Sequence, residues 1–191
     1  MHIDLRSFVA PLVEAITTSV QTFHPHKLTG PGDPGGAIHQ IVLGYQFDQS
    51  AWVSLVFDMR QDADVVYDGE WQSYIEENVL ECDVSEWMDA VTEIYDNGNA
   101  VAFTAIDGTS VSLGPFDDSP ESDEQLSETL AAYFGSVVRE AAIIAKNGGV
   151  FKPLPLASVC YLRVDEHQCQ YAWPEYEDRG EATDDGRLIA E

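Results

Sequence analysis

Five histidines and three cysteines are the side chains in this sequence best suited to ligate a metal or attack a substrate. His24-Pro25-His26 sets two imidazoles two residues apart, and Asp165-Glu166-His167-Gln168-Cys169 sets an imidazole and a thiol at the same spacing. A fold that gathered His24, His26, His167 and Cys169 would make a zinc site of the mixed His/Cys kind. No C-x-x-C or H-x-x-x-H pair accompanies them, so residue type alone nominates these four. The expectation is no metal and no cofactor.

A cysteine nucleophile needs a histidine within hydrogen-bond reach and a third group to orient that histidine. Cys160 lies in an apolar run and reads as core. Cys82 stands between Glu81 and Asp83, whose charges raise a thiol pKa rather than lower it. Cys169 has His167 two residues away, a spacing that one strand face explains equally well. Paired carboxylates serve glycoside chemistry, but with 34 Asp and Glu in the chain some close pair arises by chance. Asp62-Ala63-Asp64 lacks the rest of a calcium-loop ligand series. The glycine-rich run Gly30 to Gly36 lacks the Gly-Lys-Ser/Thr that a phosphate-binding loop requires. No reaction is indicated, and the chain reads as not an enzyme.

What remains is charge. Nine Lys and Arg face those 34 carboxylates, for a net charge of −25. Gln61 to Val138 contains no Lys or Arg at all, yet interleaves its carboxylates with Trp71, Tyr74, Trp87, Tyr95, Phe103, Phe116, Tyr133 and Phe134. Disordered acidic segments have few aromatics, so this stretch reads as a folded surface of one sign. Such a surface repels nucleic acid and anionic lipid. A basic protein suits it, and so does plain water, if the charge serves solubility or salt adaptation. The apolar share of 45% is enough for a core. An odd number of cysteines, no cationic start followed by an apolar run and no membrane-length apolar segment point to a cytoplasmic chain.

The elements that would carry these residues follow from periodicity. Phe8, Leu12, Val13, Ile16, Val20 and Phe23 recur at helical spacing over Ser7–Phe23, with Ser7 as cap. Residues 41–47 and 53–57 alternate around Asp48-Gln49-Ser50, a β-hairpin with one face buried. Trp71, Tyr74, Ile75 and Val79 predict a short helix. Asp83-Val84-Ser85-Glu86 resembles a capping box for a second, with Trp87, Met88, Val91 and Tyr95 on its apolar side. Asp107-Gly108 marks another hairpin. Ser122-Asp123-Glu124-Gln125 opens the longest helix, over Ser122–Lys146, and Ser158 to Val164 reads as a core strand. The fold class expected is α+β, a mostly antiparallel sheet of five to six strands with helices packed against it. One domain spans residues 1–173, and 174–191 form an acidic C-terminal tail.

This order of elements resembles an uncharacterised bacterial family, the DUF4303 domains. Ile41 to Phe47 carries the likeness, as do Cys82-Asp83-Val84-Ser85-Glu86-Trp87, similar to that family's Trp-Ser-Pro-Ala-Glu-Trp type of segment, and Phe151 followed by the Val159 to Asp165 strand. The first Trp and the Pro of the middle segment are absent here. Small acidic bacterial domains of this sort, including the SMI1/KNR4 group, are often immunity proteins of toxin systems. The resemblance therefore implies a binding role and carries over no catalytic residues.

Charge and resemblance converge on a non-catalytic acidic protein, an immunity-type inhibitor that occludes a basic toxin or nuclease. The partner-binding candidates are Glu76, Glu77, Glu81, Asp83, Asp117 and Asp118, beside aromatics or in loops, and the aromatics Trp52, Trp173 and Tyr176. The alternative is a housekeeping domain whose acidity keeps it dissolved. Oligomeric state has no signature in the sequence.

Overall fold

The computed structural model describes residues 1–23, 37–48, 50–58, 75–114, 119–167, 172–173 and 187–188, with 75–78, 120–121, 172–173 and 187–188 described by their backbone. His24, His26, Asp117, Asp118, Cys169 and Tyr176 lie outside the described residues. So do the glycine-rich run, the Asp62-Ala63-Asp64 segment and most of the tail.

The fold is α+β, but its strands divide between two sheets. β1 (His2–Asp4) pairs parallel with β5 (Val101–Thr104), which pairs antiparallel with β6 (Ser110–Leu113). The larger sheet runs β4 (Ile75–Val79), β3 (Trp52–Asp58), β2 (Ile38–Gln46), β7 (Leu156–Glu166), β8 (Ala172–Trp173), with β9 (Arg187–Leu188) also on β7. Its central pair, β2 with β7, is parallel and the other pairs are antiparallel. The expectation of one mostly antiparallel sheet is thus corrected. The Asp107-Gly108 hairpin pairs with the chain's first residues rather than with the larger sheet, and each sheet contains a parallel pair.

Among the described residues, three α-helices pack around these sheets. α1 (Val9–Thr22) follows a 3-10 turn, Leu5–Phe8, that Asp4 caps by accepting from the Arg6 N–H. Asp4, rather than Ser7, therefore opens the helical segment. α2 (Ser85–Tyr95) begins after Asp83, whose carboxylate accepts from the Ser85 N–H at 2.9 Å. α3 (Pro120–Asn147) starts two residues before the predicted cap, because Ser119 takes that role with Pro120 in the first turn. Proline costs little there, since its missing N–H has no helical partner anyway.

The region predicted as a helix through Ile75 and Val79 is instead strand β4. A short run with apolar residues three or four apart is ambiguous. Here the backbone of β3 accepts β4 as an antiparallel neighbour from Ser54↔Val79 to Asp58↔Ile75. Propensity yields to that ladder, which satisfies peptide groups β3 would otherwise leave open.

One face of the larger sheet is apolar and meets α1 and α3. Ile41, Leu43, Tyr45, Val53, Leu55, Phe57, Leu162 and Val164 join Leu12, Ile16, Leu130, Phe134, Val138 and Ala141 in one core. An aromatic group ties the layers together: Trp87 of α2 lies 5.9 Å from Phe103 of the small sheet and 5.0 Å from Phe134 of α3, ring centre to ring centre. Tyr45 of the larger sheet lies 5.7 Å from Phe134, and its hydroxyl donates to the Ala131 carbonyl at 2.8 Å. The buried Trp87 indole donates to the Phe47 carbonyl at 2.7 Å. The start of α2, the end of β2 and the middle of α3 are thereby fixed relative to one another.

Candidate partner-binding surface

The end of the larger sheet where β2 finishes and β3 begins carries most of the described candidate residues. A chain of contacts starts at His167, just past β7, whose N–H donates to the Tyr45 carbonyl at 2.8 Å. Its ring meets Trp52 edge-on, with centres 5.8 Å apart. The Trp52 indole donates to Gln46 Oε1 at 2.9 Å, and Gln46 Nε2 donates to Asp48 Oδ1 at 2.8 Å. Trp52 is half-buried, so one ring edge is fixed while part of the ring meets solvent. A Trp held this way loses little side-chain entropy when a partner covers it.

Asp48 leads on to Tyr95, at the last turn of α2. Burial pushes the Tyr95 hydroxyl pKa up, the negative charges of Asp123 and Asp48 push it the same way, and a hydrogen bond with Ser127 opposes them. Tyr95 keeps 39% of its surface exposed. The expectation that it packs in the core with Trp87 is therefore corrected. Trp87, Ala90, Val91 and Ile94 fill the buried stripe, and Tyr95 sits one position round the helix from Ile94, at its rim. Glu86, Asp89 and Asp96 of α2 are exposed, as are Asp123, Glu124 and Glu128 of α3.

Asp96 is the C-cap of α2, and no basic residue occupies the helix's last turn. A carboxylate at that negative end of the helix dipole costs about 0.3–1 kcal/mol. Glu93, one turn earlier, accepts from Asn97 Nδ2 at 3.1 Å and Asn99 Nδ2 at 2.7 Å. Those donors offset its position; among the described residues no such donor meets Asp96.

Glu81 and Asp83 follow directly on β4. The Leu80 N–H donates to the Val53 carbonyl at 2.8 Å, which extends the β3–β4 register and brings Trp52 level with Glu81. Both carboxylates line a groove of about 490 Å³ against α1, together with Glu14, Thr18 and Val79. The two hydrogen bonds from Ser85 hold the Asp83 carboxyl below its usual range, so it is fully charged at neutral pH. Between them the half-buried Cys82 thiol is raised, first by burial and then by Asp83. A raised thiol pKa lowers the share of thiolate, the nucleophilic form, at neutral pH. Glu76 and Glu77 lie in β4, the strand leading into this groove, and Trp173 lies on β8 opposite Val164.

Of the metal candidates, His167 is described, beside Trp52; the other three lie outside the described residues. Among the described residues, no three His, Cys, Asp or Glu side chains come together to hold a metal ion. Nor is any described helix long and apolar enough to cross a membrane.

A second polar group was not foreseen. On the face of the larger sheet opposite the apolar core, buried Arg163 donates from Nη1 to Gln40 Oε1 at 3.2 Å and pairs through Nη2 with Asp165 Oδ2 at 3.2 Å. Ser54 and Asp58 are buried as well. Burial pushes the Asp165 carboxyl up to about 6, against the opposing pull of Arg163. The signal was present: Arg163 and Asp165 are two apart, hence on one face, within an otherwise apolar strand. Reading the strand as core hid it.

No family model, curated protein or solved structure matches the chain.

Proposed function

We propose that this chain is a non-catalytic binding protein that engages a basic protein, an immunity-type inhibitor that covers the Lys/Arg surface of a toxin or nuclease. One observation carries the reading. Trp52, tied through Gln46 to Asp48, and Tyr95, which feels the charges of Asp123 and Asp48, are both partly exposed, and α2 and α3 carry further exposed carboxylates. Rigid aromatics within a charged rim are what a cationic partner docks against, through apolar contact and cation–π attraction at the centre and steering by the rim. The carboxylate at the C-cap of α2 supports the same reading, because it costs helix stability where an uncharged residue would not. The resemblance to acidic immunity-type domains agrees with it.

Occlusion requires no chemistry from this chain. Carboxylates would pair with the side chains that grip nucleic-acid phosphates, leaving a bound nuclease unable to hold its substrate. Capture from source-cell extract at low salt, with wild type and with Trp52→Ala, tests the proposal. A basic protein retained by the wild type, released by salt and lost with Trp52→Ala is the expected result. Retention of no basic protein would defeat the proposal.

A further inference from the structure

The partner's mode of contact can be narrowed further, on the premise that it is basic as proposed above. In an antiparallel ladder, hydrogen-bonded pairs alternate with pairs whose peptide groups point away. The Leu80 N–H bond to the Val53 carbonyl makes that pair hydrogen-bonded, so Asn78/Leu55 and Glu76/Phe57 are bonded in turn. The N–H and C=O groups of Ile75, Glu77 and Val79 therefore point outward from β3. Among the described residues no strand pairs with that edge. Val79 is 66% exposed.

An edge of this kind is a template for another strand. The groove beside it, between β4 and α1, has room for side chains projecting from such a strand, at about 490 Å³. Among the described residues its charged lining is Glu14, Glu81 and Asp83, with no Lys or Arg. That lining selects the occupant. A second copy of this chain would bring β4, with its own Glu76 and Glu77, and a net charge of −25 against the same acidic groove. Like charges directly opposed across strands are destabilising. We propose that the occupant is an extended, lysine- or arginine-bearing segment of the basic partner, which adds as a strand to the outer edge of β4 with its cations against Glu14, Glu81 and Asp83.

The test uses Val79→Pro. Its N–H points outward, so proline removes a donor from the free edge while the β3–β4 ladder keeps its bonds, and edge strands tolerate proline. The probe is a fluorescent peptide of alternating Lys and Val, with a control in which prolines replace the Val residues. Fluorescence polarisation gives affinity, amide hydrogen exchange gives location, and circular dichroism establishes that the variants fold. Expected is binding of the Lys-Val peptide over the control, and slowed exchange at Ile75, Glu77 and Val79. Affinity should fall by about tenfold with Val79→Pro, the weight of a lost outward hydrogen bond, and again with Glu81→Gln/Asp83→Asn. Equal affinity for both peptides, unchanged binding by folded Val79→Pro, or protection confined to other residues would overturn strand addition.

The partner captured from extract separates the two levels of the account. If Val79→Pro retains it as well as wild type does, and salt still releases it, the acidic binding surface stands and the β4 edge falls. If nothing basic is retained by either protein, the proposed function itself falls.

Discussion

Replacing Asp165 by Asn should remove a pH dependence of stability that the fold builds into β7. Asp165 is buried on the polar face of the larger sheet, its side chain 10% exposed, with Arg163 at 3.2 Å as its cationic neighbour and buried Asp58 on the same face. Burial disfavours the carboxylate more than Arg163 favours it, so the folded-state pKa rises from 3.8 to about 6. Between those values the folded chain holds this proton more tightly than the unfolded chain does. The group's contribution to stability is fully present below pH 3.8 and is lost as pH rises through about 6. At about 1.36 kcal/mol per pH unit, that interval amounts to about 3 kcal/mol.

Asn keeps the shape and an acceptor oxygen but does not titrate. Urea unfolding of both proteins from about pH 7.5 to about pH 4 isolates the effect, because the general relief of charge repulsion on acidification is common to the two. The wild type should gain about 2 kcal/mol relative to Asp165→Asn over that range, the rest of the interval being recovered only below pH 3.8. A difference constant to within about 0.5 kcal/mol would refute the reasoning. Arg163 would then be holding Asp165 ionised throughout, with the attraction outweighing the desolvation.

Other consequences are as specific. Trp87→Phe should destabilise by about 2–4 kcal/mol in urea unfolding, since it leaves a void beside Phe134 and deprives the Phe47 carbonyl of its 2.7 Å donor. Cys160, fully buried and with its thiol pushed up to about 12, should stay unmodified by a thiol reagent at pH 8 until the chain is unfolded. Trp52→Ala should weaken partner binding by tenfold or more while costing about 1 kcal/mol or less of stability, because its ring is only half-buried.

Elements with a sustained period were legible in the sequence. In α3, Leu126, Leu130, Phe134, Val137, Val138 and Ala141 recur at three and four and are buried as that spacing predicts, while Ile144, which continues the spacing near the helix end, is 43% exposed. The β2–β3 hairpin was legible too, but only one of its faces was expected to be buried. Val42 and Val56 are buried on the second face as well, because β2 and β3 are interior strands of the sheet. Pairing partners were not legible. Nothing in His2–Asp4 announces that it will lie parallel to Val101–Thr104, and nothing local tells Ile75–Val79 that β3 offers an open edge.

For the surface, residue type nominated candidates, and their positions were not legible. Glu81 and Asp83 line one groove against α1, Trp52 is level with Glu81 in the β3–β4 register, and Glu76 and Glu77 lie in β4. Tyr95 was misplaced into the core, since helical spacing cannot say where a buried stripe runs out. Gln40, Arg163 and Asp165 escaped because their convergence depends on the β2–β7 register.

The most direct measurement is the dissociation constant of the captured partner as a function of salt. An acidic surface that binds a basic protein predicts an affinity falling steeply as salt rises, with slower association carrying much of the loss. Trp52→Ala should shift the whole curve to weaker binding with its slope unchanged. A dissociation constant indifferent to salt, or no basic partner retained even at low salt, would contradict the account and leave the charge to solubility.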